Sequence, residues 1–400
     1  MARERHPWAV SWESVPWHRD PAQPLSRRQR SRIRPTYDAA VPSTIAPLDV
    51  DADPSALAAA DDARAEISRF DAELSSILPG AELAPLAAVL LRTESASSSQ
   101  IEHVTAGARA LALAELHLAK PGSNASLVAA NVDAVTRAIE LADSLTPPAV
   151  LAVHAALMHT ETHVAPGHYR TEQVWIGGTS ASPHDAAFVP PRHSRVEAAM
   201  DDLCTFMART DIPLLAQCAV AHAQFETIHP FNDGNGRVGR ALVHAMLQHG
   251  GATTRATVPV SAGLLTDTDG YFAALTAYRT GNVNPIITRF ADATLAAIGN
   301  GRQLAQDLVE IHSRWSSSIS ARRTASIWRV LPRLLSQPVV TSALIQREIG
   351  LSQPAADQVI ARLRDAGILT KAKGGQRYVA WVAQDVTAAL DDFALRARRR

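Results

Sequence analysis

Two apolar segments with helical spacing, PLLAQCAVAHAQFETI (213–228) and RVGRALVHAMLQHG (237–250), are separated only by HPFNDGNG. The first runs directly into His229, and the second starts as soon as the glycines end and is stopped by Gly250–Gly251. This part of the chain therefore has to fold as helix, short loop, helix. The same periodicity recurs upstream in SALAAADDARAEISRFDAELSSI, LAPLAAVLLRTESASSSQIEH and SLVAANVDAVTRAIELADSL, the last expected to end before Pro147–Pro148. It recurs downstream in DGYFAALTAYRTG and IITRFADATLAAIGNG. The fold class expected is mainly α. Two short β signals stand out against it: Val174–Ile176 inside the Gly- and Pro-rich stretch QVWIGGTSASPHDAAFVPP, which reads as a hairpin flap, and TKAKGGQRYVAW near the C-terminus.

Four hundred residues exceed one ordinary domain, and the hydrophobic fraction of 46% suffices for a sizeable core. The organisation expected is a polar Pro- and Arg-rich arm (1–45), mobile or laid across the body, an N-terminal helical domain (46–145), a helical core (146–300), a linker helix (301–325) and a C-terminal module (326–400). Net charge is zero, so any basic surface must be local. Cys204 and Cys218 form neither a disulfide framework nor a zinc pattern and read as buried apolar residues. No run of about 18 apolar residues predicts a membrane span, and no apolar leader precedes the arm, so a cytoplasmic protein is expected. Alanine and arginine usage suggests a bacterial source.

The loop between the two helices concentrates chemistry. Gly234, Asn235 and Gly236 precede a helix N-terminus, where turned N–H groups and the helix dipole favour an anion. Arg237 and Arg240, three apart, share a face and suit polyphosphate, although an arginine pair alone is equally consistent with a solvated basic face. Asp233 beside phosphates implies a bridging Mg²⁺. His229 can take a proton near neutrality. Together they point to nucleotidyl or phosphoryl transfer to a hydroxyl. No Walker or protein-kinase motif set is present. HTETH (His159–His163) keeps a metal hydrolase open as a competitor.

HPFNDGNGRVGR resembles the Fic-domain motif HxFx(D/E)GNGRxxR, with every specified position matched. AHAQFETI, the stretch YRTEQVWIGG…AAFVPP and SSSQIEH are also similar to that family, over about residues 55–300. The resemblance implies a Fic helical core with a β-hairpin flap, and transfer of AMP from ATP to a Ser, Thr or Tyr hydroxyl of a target protein, self-modification included. It implies that His229 deprotonates the hydroxyl and Asp233 holds Mg²⁺. Phe231, Gly234, Asn235, Gly236, Arg237 and Arg240 would bind the nucleotide phosphates, with Arg240 on the γ-phosphate. Tyr271, Phe272 and Tyr278 fall where relatives carry aromatics near the base, and Pro285 stands where they often have a tryptophan. Val174, Ile176, Gly177 and Gly178 would hold the target segment by main-chain pairing. SSSQIEH resembles the family's inhibitory motif [S/T]xxxE[G/N]. Ser98 and Glu102 would share a helix face, and Glu102 would compete with the γ-phosphate for Arg240. His103 replaces the usual Gly or Asn. De-AMPylation, another nucleotide donor and a homodimer stay open.

Residues 322–400 carry about fourteen Lys and Arg against six Asp and Glu. VTSALIQREIG-LSQPAADQVIARLRDAGIL reads as helix, turn, helix, with Ser352 as N-cap and Pro354 in the first turn, followed by the hairpin; the layout is a winged helix. Arg362, Arg364, Lys371, Lys373 and Arg377 make DNA a candidate partner through residues 340–380. A protein-interaction module has equal standing, and the alternative function is a DNA-binding regulator with a Fic sensor.

Overall fold

The computed structural model describes residues 6–18, 31–77, 83–179, 182–254, 256–322, 324–372 and 379–398. Lys373 and Arg377 lie outside them. The described chain is mainly α-helical. Its helices are α1 (Pro54–Ile77), α2 (Leu83–Ile101), α3 (Ala108–Glu115), α4 (Asn124–Glu140), α5 (Pro147–Met158), α6 (Val196–Met207), α7 (Leu214–Ile228), α8 (Asn235–His249), α9 (Val260–Leu264), α10 (Thr268–Arg279), α11 (Asn284–Ser318), α12 (Ile327–Ser336), α13 (Ser342–Ile349), α14 (Gln353–Asp365) and α15 (Gln384–Arg396). The strands are β1 (Ser11–Pro16), β2 (Thr36–Val41), β3 (Val339–Val340), β4 (Thr370–Lys371) and β5 (Trp381–Val382). No described helix is long and apolar enough to cross a membrane. The chain forms two compact units, each discontinuous in sequence. The first takes the described residues up to Asp62 with Arg137–Gly250 and Asp269–Ala291; the second takes Ala63–Thr136, Gly251–Thr268 and those from Asp292 onward.

The first unit is built on α7. From Leu215 to Ile228 every residue of this helix is buried, as expected of a helix that is apolar on all sides. Helices α6 and α8 pack against it. Its polar positions are each given a role. Gln217 donates to the carbonyls of Phe206 (2.9 Å), Met207 (3.2 Å) and Arg209 (2.9 Å), closing the end of α6. Gln224 donates to Ser43 O and accepts from the Tyr278 hydroxyl. Cys204 and Cys218 are buried and unpaired. Burial pushes the Cys204 thiol up to about 12 and the Cys218 thiol upward as well.

The described parts of the arm are structured. β1 and β2 pair antiparallel from Ser11↔Val41 to Pro16↔Thr36. Trp8, 1% exposed, meets Phe206 edge-on at 6.2 Å and packs on Tyr278. The Asp202 carboxylate accepts from the backbone N–H groups of Ile45 (2.7 Å) and Ala46 (3.0 Å). The arm's polar composition hides these anchors because they are few and each is a single side chain.

In the second unit α2 packs against α9 and α12, and its buried face is polar. Glu94 is fully buried and accepts from the Ser261 N–H (2.9 Å) and hydroxyl (2.5 Å). Asn131 donates to Ser95 O (2.9 Å) and Ser99 Oγ (3.2 Å). α13 and α14 lie between β3 and β4 in the chain, and β3, β4 and β5 form a three-stranded sheet of order β3-β5-β4. Ser352 is the N-cap of α14 and a proline opens the helix, as expected. Two boundaries differ from expectation. The prolines at 147–148 open α5 instead of closing α4, which already ends at Glu140. α11 runs through Gly299 and Gly301 for 35 residues, and a Cβ at Gly301 would sit 3.1 Å from the Phe70 ring, so this glycine serves close packing.

Replacing Trp8 by Ala is expected to destabilise the protein by about 3–5 kcal/mol. A lowered melting temperature, with faster protease cleavage within residues 6–18, checks it.

Candidate active site

The motif loop leaves α7 at His229, whose backbone is left-handed (φ 50°, ψ 63°) while its N–H still bonds Phe225 O at 2.8 Å. A non-glycine residue in this region needs support from its surroundings, and Arg170 provides it. Arg170, 4% exposed, donates to the carbonyls of His229 (Nε, 2.8 Å), Glu172 (Nη1, 2.9 Å), Pro191 (Nη2, 2.5 Å) and Ile228 (Nη2, 3.4 Å). Its own N–H bonds Pro230 O. No carboxylate is among these partners. Burial lowers the Arg170 pKa to about 10, which leaves it charged at neutral pH.

The loop is closed by Asn235, the first residue of α8. Its amide accepts from Phe231 N and donates to Phe231 O, both at 2.8 Å. The Phe231 ring is fully buried and lies flat on the imidazole of His154 (3.7 Å, 1°). His154 Nδ1 accepts from Gly167 N (3.0 Å), so its proton is on Nε2, which donates to Asp233 O (3.3 Å). Gly234 has φ 82°, and a side chain there would collide with Leu157 and Met158. A backbone that passes this close to α5 requires glycine.

These clamps leave polar groups around the start of α8. Asp233 accepts from Gly234 N (2.6 Å) and Arg237 Nη2 (3.3 Å), its other oxygen lying 3.8 Å from His163 Nε2. Its carboxylate is 47% exposed, a hard oxygen donor at the loop mouth that suits Mg²⁺ shared with phosphates. Gly236 and Arg237 lie in the first helical turn, whose N–H groups point out of the helix end. Arg237 and Arg240 are both buried, at 6% and 3% exposure. HTETH gathers no cluster: among the described residues no group of three His, Cys, Asp or Glu side chains is set to hold a metal.

The His229 imidazole is 21% exposed, with Nδ1 3.9 Å from Glu226 Oε2. Burial, then the charges of Arg170 and Arg279, lower its pKa to about 3, so it is neutral at pH 7. Burial likewise lowers His154 to about 4 and His222 to about 3, the latter with help from Arg240.

The flap is a hairpin. Ile176 pairs with Phe188, Thr179 with Ser182, and Gly177 and Gly178 turn the chain with positive φ. Val174 and Ile176 are half-buried, and the two glycines are exposed. On its other side the returning strand meets β2, with Ala40 N donating to Val189 O at 3.0 Å. Val10, Ala40 and Phe188 share a core with Ile176. The Arg279 guanidinium lies 3.7 Å over the Phe188 ring. Tyr271 and Tyr278 are buried, with hydroxyls on His222 Nε2 (2.7 Å) and Gln224 Oε1 (2.9 Å). Phe272 is the exposed neighbour, 50% accessible.

Ser98 and Glu102 belong to the second unit. Ser98 is buried in α2, and Glu102 is its C-cap, one residue past the last helical position. His103 N bonds Gln100 O (2.9 Å) and Val104 N bonds Ser99 O (3.0 Å), with His103 left-handed at φ 62°. This is a Schellman closure, with histidine where glycine or asparagine is usual.

The Fic/DOC family model matches residues 144–247, the segment containing this loop and flap. The chain carries a Fic/DOC domain. It is 28% identical over 159 residues to the protein adenylyltransferase Fic of Nematostella vectensis (39% of this chain, 34% of that protein). It is 25% identical to protein adenylyltransferase fic-1 of Caenorhabditis elegans (39% of this chain, 28% of that protein). The chain thus spans about a third or less of the curated relatives it matches. A crystal structure of a Fic family protein from Desulfovibrio desulfuricans G20 shares the fold (TM-score 0.51, 20% identity, covering 81% of this chain and 95% of that one).

The residues that hold the Fic loop and the flap in place, Arg170 and His154 at the loop and Arg279 over Phe188, were not singled out by sequence. Arg170 stands in HYRTEQ with no charge pattern around it, so only its distance in space from His229 reveals its role.

The folded-state pKa values of the three buried imidazoles lie below the ordinary 6.5. Between about pH 6.5 and 3 the unfolded chain binds more protons than the folded one, so stability is full above that window and falls as pH drops through it. Denaturant titrations at pH 7, 6 and 5 check this; flat stability would contradict it.

Proposed function

We propose that the first unit transfers AMP from ATP to a Ser, Thr or Tyr hydroxyl of a protein. The observation that carries this reading is the single α7–α8 connection. It sets a neutral imidazole, an exposed carboxylate, a helix N-terminus and two buried guanidiniums side by side. Relatives named protein adenylyltransferases support it.

His229, neutral at working pH, would accept the hydroxyl proton as the oxygen attacks the α-phosphate and pyrophosphate departs. Triphosphate charge beside the imidazole favours its protonated form and raises its pKa toward the useful range. Asp233 would hold Mg²⁺, which when bound offsets charge on the phosphates. The N–H groups of the first turn of α8 and the guanidiniums of Arg237 and Arg240 would orient the phosphates. The flap strand 174–178 is backed on one edge by 186–189, so its other edge suits main-chain pairing with a target segment.

We infer that Glu102 acts as a brake by competing for Arg240, since one guanidinium cannot serve a carboxylate and a γ-phosphate together. A second reading, DNA binding through residues 340–380, is favoured by the α13–turn–α14 layout with its small sheet. Arg362 on α14 is exposed, whereas Arg364 is engaged by Asp365. Cations spent on neighbouring carboxylates weaken phosphate attraction, so this reading ranks below the enzyme.

His229→Ala is expected to lower AMP transfer from labelled ATP by about 10²-fold or more without moving the melting temperature; near-normal transfer would reject the base role. Glu102→Gly is expected to raise auto-AMPylation, and an unchanged rate would reject the brake. The same assay with labelled UTP and GTP decides the donor.

A further inference from the structure

Away from the Fic loop, the second unit contains an open cleft of about 380 Å³ lined mainly by α2, α3 and α15. That volume is in the range of small-molecule sites. Its floor is apolar, formed by buried Leu111, Leu390 and Phe393, with exposed Leu395 at the rim. Two guanidiniums reach its lining. Arg92 is held by Glu115 (Nε, 2.6 Å) and Gln337 (Nη2, 3.2 Å), while its Nη1 has no hydrogen-bond partner among the described residues. Arg398 is exposed and donates to Gln100 Oε1 at 2.8 Å. The lining's one carboxylate, Asp391, is already committed to Ala108 N (2.9 Å), capping α3 where the N-cap Gly107 offers no side chain. An apolar floor, a cationic edge and an occupied carboxylate together select an amphipathic anion.

We propose that this cleft binds a small amphipathic carboxylate, its body on Leu111, Leu390 and Phe393 and its head group on Arg398, and that binding loosens the turn that presents Glu102. The second half rests on the reading of Glu102 as a brake; the first does not. Gln100 and Thr105 both line the cleft and lie on either side of Glu102 in sequence. The backbone carbonyl of the same Gln100 accepts the His103 N–H that closes α2, while its side chain is the one that Arg398 holds. A ligand carboxylate makes a charge-assisted pair with Arg398 that a neutral amide cannot match, so it displaces the Gln100 side chain and removes the tether that Arg398 places on the last turn of α2. A ligand that prefers the loosened turn shifts the population toward it and relieves the brake.

The test uses the full chain with decanoate as probe and 1-decanol as its uncharged counterpart, followed by calorimetry. Ala394→Trp fills the cleft, and Arg398→Glu reverses the charge at an exposed rim position where folding is not at stake. One-site saturation by decanoate is expected, weakened about tenfold by Arg398→Glu and in 1-decanol, and lost in Ala394→Trp. No saturable binding, or equal binding of 1-decanol, overturns the site; so does binding indifferent to both substitutions. Decanoate is further expected to raise wild-type auto-AMPylation by about threefold or more and to leave Glu102→Gly unchanged. Binding with an unchanged or lowered wild-type rate overturns the coupling. If Glu102→Gly is no faster than wild type without ligand, the brake reading falls and the coupling with it, while the calorimetry still decides the site.

Discussion

A single buried guanidinium organises the first unit. Arg170 takes four carbonyls, from Ile228, His229, Glu172 and Pro191, and so ties the end of α7 to both roots of the flap. Burying a charge is costly unless its hydrogen-bonding capacity is met. Carbonyls meet it without neutralising it, so the positive charge remains beside the loop. That charge has two effects. It supports His229 in a left-handed conformation, and, after burial, it and Arg279 help to keep the imidazole neutral.

The remaining loop geometry follows from groups satisfied locally. Asn235 spends its amide on Phe231, and His154 spends both ring nitrogens on Gly167 and Asp233. With the side chains turned inward, the anion-facing work is left to backbone N–H groups and arginines. The Phe231 ring, fully buried and stacked flat on His154, forms the underside of the loop. The flap is held from the opposite side by β2 and by Arg279 over Phe188, so the structured arm bears on the flap although it is far from the motif in sequence.

What the sequence made legible divides along physical lines. The helix–loop–helix at 213–250 was readable because apolar periodicity and glycine stops are local signals, and so was the flap, from Val174–Ile176 and its glycines. The prolines at 147–148 were misjudged because proline both ends and begins helices, and only the preceding turn decides which. The paired strands of the arm were missed because two six-residue strands held by Trp8 and Asp202 leave little periodicity. Tyr271 and Tyr278 illustrate a limit of position-based carry-over: both hydroxyls are spent on buried partners, His222 and Gln224, and the exposed ring is the neighbouring Phe272.

The end of α2 bears on the proposal that Glu102 acts as a brake. The last carbonyls of a helix carry partial negative charge, and an acidic residue there is disfavoured by about 0.3–1 kcal/mol. Glu102 sits at that end, fixed in direction by a Schellman closure that accepts His103 in place of glycine. A carboxylate so placed gains more from an external cation than one in mid-helix, because the cation offsets the helix end as well as the side chain. The buried hydroxyls and amide behind it, Ser95, Ser99 and Asn131, are bonded to one another and to backbone, so the helix gives this carboxylate a firm base. In the proposed brake, competition with a triphosphate would turn on this last turn, so a small change there would be enough to tip it.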